Sequence, residues 1–87
     1  MAFNSSISNK IITGSVVVNP SAANTARAEY VTFPQAFDFK RLTFIPSGGI
    51  PCNYIQATGA VNGNQLELIH SWTGAGARTV YYVYFNE

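Results

Sequence analysis

The sequence predicts an all-β chain, an antiparallel β-sandwich of about six strands that oligomerises through its sheets. Three observations carry this expectation. No window sustains a helical hydrophobic period for three turns, whereas short runs rich in Val, Ile, Thr, Tyr and Phe recur between turn residues. Asn62-Gly63 separates two alternating runs, which is what a two-residue type I′ hairpin favours, with both residues at positive φ. The closing run, Thr79-Val80-Tyr81-Tyr82-Val83-Tyr84-Phe85, is apolar or aromatic on both sides. Alternation puts Val80, Tyr82 and Tyr84 on one face and Tyr81, Val83 and Phe85 on the other. A chain of 87 residues has one core to offer. A strand apolar on both faces therefore needs a second partner, and another copy of the chain is the expected one, with Tyr81, Val83 and Phe85 in the seam.

Each element follows from local chemistry. Residues 1–9 are polar and expected to be loosely ordered, leaving 10–87 as a single domain. Lys10–Val18 reads as the first strand, with Ile12, Val16 and Val18 on one face. Pro20 and the small polar residues up to Thr25 end it. A second strand, Ala26–Phe33, alternates Arg27, Glu29, Val31 and Phe33 against Ala28, Tyr30 and Thr32, and Pro34 stops it. Phe33-Pro34-Gln35-Ala36-Phe37 is a corner whose two aromatics can plug one end of the sandwich. The third strand, Arg41–Ile45, pairs Leu42 with Phe44 on one face and closes at Pro46. Ser47-Gly48-Gly49-Ile50-Pro51 then connects to a fourth strand, Cys52–Val61. Gln65–Trp72 is the fifth, with Leu66, Leu68, His70 and Trp72 together on one face. Thr73-Gly74-Ala75-Gly76-Ala77 returns the chain to the closing strand.

Composition excludes several classes of function. Charged residues make up 10% of the chain and the net charge is +1. The five basic residues, Lys10, Arg27, Lys40, Arg41 and Arg78, include one adjacent pair, so no basic face for nucleic acid is expected. Lys40-Arg41 is better read as a solvated strand entrance. No apolar run approaches the ~20 residues of a membrane helix. The N-terminus lacks the basic and apolar regions of a signal peptide, and Met1-Ala2 looks like a native translation start, so synthesis in the cytoplasm is expected. Cys52 is the sole cysteine, which rules out a disulfide within the chain, and the single His and four acids are scattered, so no metal or other cofactor is expected. Oligomerisation is the remaining support for so small a core.

Candidate chemistry is sparse. Cys52 and His70 are the one possible nucleophile–base pair, yet a buried thiol and a core histidine account for both. Asp38 and Glu67 have nothing to bring them together as a glycosidase pair, and no enzyme is expected. Saccharide recognition would need an exposed aromatic beside polar loop groups. Trp72, bordering the glycine-rich loop, with Arg78 just beyond it and Asp38 nearby, is the candidate set. The competing role for Trp72 is an end-plug of the core.

The segments Val31-Thr32-Phe33-Pro34-Gln35-Ala36-Phe37 and Leu42-Thr43-Phe44-Ile45-Pro46, the hairpin Ala57-Thr58-Gly59…Leu66-Glu67-Leu68 and the closing Tyr81-Tyr82-Val83-Tyr84 occur in this order across nearly the whole chain. The arrangement resembles the H-type lectin-like domain, which recurs in invertebrate lectins and in bacteriophage tail and fibre proteins. The resemblance implies six strands and a trimer formed through the sides of the sheets, with a hexamer as the next expectation. It also implies a virion component of a phage tail, with other tail proteins as partners and a host-surface saccharide as the alternative ligand. A surface of Asn, Ser, Thr, Gln and Tyr, without a secretion signal, fits a product released by host lysis.

Overall fold

The structure, a computed structural model, describes residues 11–86. Its strands are β1 (Ile11–Val18), β2 (Arg27–Thr32), β3 (Leu42–Pro46), β4 (Cys52–Asn62), β5 (Gln65–Trp72) and β6 (Arg78–Phe85). All six expected strands are present, and among the described residues their ends fall within one residue of those read from the sequence. Lys10 and the segment 1–9 expected to be loose lie outside the described residues. One element was not anticipated: a three-residue 3-10 turn, Phe39–Arg41, before β3. Asp38 caps it by accepting from the Lys40 amide at 3.1 Å. Three residues are too few to leave a period in the sequence.

The strands form two antiparallel three-stranded sheets, ordered β1-β6-β3 and β2-β5-β4. The chain changes sheet at every connection except the β4–β5 hairpin. Each sheet thus has one central strand, β6 or β5, and these are the two whose inward faces are most deeply buried. Val80, Tyr82 and Tyr84 from β6 meet Leu66, Leu68 and Trp72 from β5 in a single core. The arrangement is sandwich-like, with Val18 and Val31 buried between the sheets.

The corner after β2 plugs one end as expected. Phe33 and Phe37 are both buried. The Phe33 ring meets Tyr82 edge-on at 5.3 Å, and Phe37 stacks on Tyr84 at 4.0 Å. Tyr82 needs room to reach this cluster, and Gly14, its direct partner on β1, provides it. A Cβ at Gly14 would collide with the Tyr82 hydroxyl and ring.

The hairpin differs in detail from the type I′ expectation. Asn62 pairs with Gln65, so the two loop residues are Gly63 and Asn64, not Asn62 and Gly63. Gly63 has φ +60°, and Asn64 is not in the positive-φ region. Positive φ at the first loop position alone is the pattern of a type II′ turn, where glycine belongs. Asn64 is fixed from outside the hairpin: its side chain donates to the Phe33 carbonyl at 2.7 Å, and its own carbonyl accepts from the Phe33 amide at 2.9 Å.

Candidate functional site

The outer face of the β1-β6-β3 sheet is the feature of the molecule that ordinary folding leaves unused. The register lines up Ile11 with Phe85, Thr13 with Val83 and Thr43, Ser15 with Tyr81 and Ile45, and Val17 with Thr79. None of these residues is charged. Tyr81 is 51% exposed and Ile45 53% exposed, and Ile11, Val17 and Phe85 are exposed as well. Val83 is half-buried. Short side chains at Thr13 and Ser15 beside the taller Tyr81 and Ile45 leave an open depression of about 360 Å³. The outer face of the other sheet is more polar: Tyr30 stands beside Glu67, whose carboxylate accepts from Thr58 Oγ1 at 2.7 Å.

Tyr81, Val83 and Phe85 therefore lie on one face of one strand, as alternation requires. Ile11, Val17 and Ile45 join them there. Sequence reasoning missed these three because their membership depends on β6 being central, with β1 and β3 on its flanks. Odd-numbered β1 residues alternate with the core-facing Ile12, Val16 and Val18, and that was the available signal.

The second set, Trp72, Arg78 and Asp38, is not brought together. Trp72 is 0% exposed and its ring belongs to the core, so it offers no stacking surface. Its Nε1–H donates to His70 Nδ1 at 2.9 Å. An indole nitrogen can only donate, so Nδ1 must be an acceptor and the His70 proton sits on Nε2. That proton points at Glu29 Oε1, 3.1 Å away. Asn19 completes the chain, donating its backbone amide to Glu29 at 2.9 Å and its side-chain amide at 3.0 Å. Withdrawal from water pushes the Glu29 carboxyl up. The Asn19 and His70 bonds and the Arg27 charge outweigh this, leaving it below the usual 4.5.

Asp38 is occupied elsewhere. It caps the 3-10 turn, lies 3.8 Å from Arg41 Nε, and donates its backbone N–H to the Tyr84 hydroxyl at 3.0 Å. Arg78 is at the other end of β6, six residues and roughly 20 Å along the strand. There its guanidinium lies against Gly49 and Gly76, both at positive φ, with Nε buried and without a hydrogen-bond partner. The two connecting segments 47–51 and 73–77 contain no ionisable residue of their own.

Cys52 and His70 do not face each other as nucleophile and base. The thiol donates to the Ser71 carbonyl at 3.7 Å and burial pushes its pKa up, which disfavours the thiolate. Both His70 ring nitrogens are engaged. Comparison of the chain with protein-family models, with curated proteins and with solved structures finds no match in any of the three.

Proposed function

We propose that the protein is a small, non-enzymatic structural or interaction module of a bacteriophage tail or fibre, working as a symmetric homo-oligomer, a trimer first and a hexamer next. The observation that carries this reading is the uncharged outer face of the β1-β6-β3 sheet, with Tyr81, Val83 and Phe85 at its centre. Apolar surface of this kind is a liability in an isolated domain and an asset in an assembly. The H-type lectin-like pattern of aromatics and turns supports the trimer and the phage tail. Two measurements test the reading. Mass spectrometry of purified phage particles should find the chain, and sedimentation at micromolar concentration should find an oligomer. A stable folded monomer would refute the association.

A second reading, host-saccharide binding, is favoured by Arg78. Its guanidinium has no acidic partner among the described residues and sits among glycine, serine and threonine loops, where it can donate to hydroxyl or carboxylate oxygens. Weak equivalent sites would gain avidity from the oligomer. Glycan-array binding that is lost in Arg78→Ala would promote this reading. Trp72→Ala is unsuitable as a test, because it would open the core.

A further inference from the structure

We propose that the free edge of β1 is a second, two-fold interface: β1 of another copy adds antiparallel to it and joins two β1-β6-β3 sheets into one six-stranded sheet. This interface is separate from the outer-face seam and does not rest on it.

The four sheet edges are not alike. An unpaired edge invites strand addition, and proteins blunt it with short strands, prolines, charges or bulges. β3 has five residues and ends at Pro46, which has no N–H to offer. β2 carries Arg27 and Glu29. β4 has register shifts at three places along its pairing with β5. β1 has none of these devices. It pairs with β6 in unbroken register over all eight residues, contains no proline and no charge, and among the described residues no strand pairs with its other side.

The occupant is set by the pattern of β1 itself. Read outward from Gly14, the strand is chemically palindromic: Thr13 and Ser15, then Ile12 and Val16, then Ile11 and Val17. In a continuous antiparallel sheet, directly opposed residues share a face. Two copies with their inner faces on the same side must therefore oppose odd with odd and even with even. A two-fold axis at Gly14 satisfies this. It places Ile11 against Val17, Ile12 against Val16, Thr13 against Ser15 and Gly14 against Gly14 of the other copy. Each apolar residue meets an apolar one and each hydroxyl meets a hydroxyl. Moving the axis to Ser15 keeps the faces but sets Thr13 against Val17 and Gly14 against Val16. The Gly14 register is the self-complementary one. Gly14, Thr13 and Ser15 are also the smallest side chains of the strand, so the backbones approach most freely at the axis.

The register gives a direct test. Opposed Cα atoms in an antiparallel pair are about 4.5–5.5 Å apart, within disulfide reach, whereas diagonal neighbours at about 7–8 Å are not. In a Cys52→Ser background, Thr13→Cys and Ser15→Cys are made as separate chains and exposed to oxidised glutathione. The mixture should give covalent dimer in about tenfold excess over either variant alone, because position 13 faces position 15 and neither faces itself. Equal cross-linking in the mixture and the separate samples, or none in any, overturns the proposal. A second pair of variants guards against altered folding. In a Tyr81→Glu background, where sedimentation reads the β1 edge alone, Thr13→Lys with Ser15→Lys sets like charges across the axis and should weaken dimerisation, whereas Thr13→Lys with Ser15→Glu should restore it. No difference between the two also overturns it. Tyr81→Glu should abolish outer-face assembly while leaving the cross-link, which separates failure of one interface from failure of the other.

Discussion

At the scale of single residues, the decisive group is the chain of hydrogen bonds from Trp72 through His70 to Glu29. Trp72→Phe keeps most of the ring volume but leaves the buried Nδ1 acceptor without a donor. An orphaned buried polar atom costs about 1–3 kcal/mol, and urea unfolding should show a loss of that size. Glu29 makes the chain pH-sensitive. Its carboxyl titrates below the usual 4.5 in the folded protein, so the stabilisation is fully present above that value and is lost as the pH falls through the lowered one. The stability difference between the protein and Glu29→Gln should shrink from about pH 6 to about pH 3, and a constant difference would contradict this. The period-two pattern of β5 makes Trp72 and His70 legible as neighbours on one face. Their bonding is not legible, because the acceptor is Glu29, 41 residues from His70, and sequence order says nothing about which polar groups a core will bring together.

At the scale of the elements, β1 and β6 are locked by the fit of Gly14 to Tyr82. Gly14→Ala would drive a Cβ into the tyrosine hydroxyl and ring. Overpacking of this kind typically costs about 1–3 kcal/mol. Tyr82→Phe removes the nearest obstructing atom, so the double variant should lose less than the sum of the two single losses in a thermal or urea denaturation cycle. Strands were readable here because each has one face turned to the core and a proline, glycine or asparagine at its end. The hairpin was read one residue early. Asn62 can tolerate positive φ, but Asn64 is held in the second loop position by two hydrogen bonds to Phe33, a tertiary tie that the local sequence does not display.

At the scale of the whole molecule, the two-sided last strand explains most of what was legible. β6 is the centre of its sheet, with one apolar face in the core and the other apolar face outside. The outer face places a charge-sensitive row at Tyr81. Tyr81→Glu should leave the far-ultraviolet spectrum unchanged and shift the sedimenting species down to the β1-paired dimer, and an unchanged oligomer would remove Tyr81 from the seam. The saccharide cluster was not legible for the complementary reason. Proximity of Trp72 and Arg78 along the chain did not translate into a shared surface, since one turns into the core and the other lies at the loop end of the sheet.

The order β1-β6-β3 also governs when the protein can fold. Ile11 pairs with Phe85, 74 residues later, and among the described residues β3 has no sheet partner other than β6. During synthesis the β2-β5-β4 sheet can assemble first, while β1 and β3 wait. At about 5–20 residues per second, the 67 residues from Val18 to Phe85 take roughly 3–13 s to be made. Throughout that interval β1 carries two unpaired edges instead of one. The growing chain is therefore most exposed to premature association with its neighbours on the same message, and expression at lower temperature or with a holdase chaperone should raise the soluble yield.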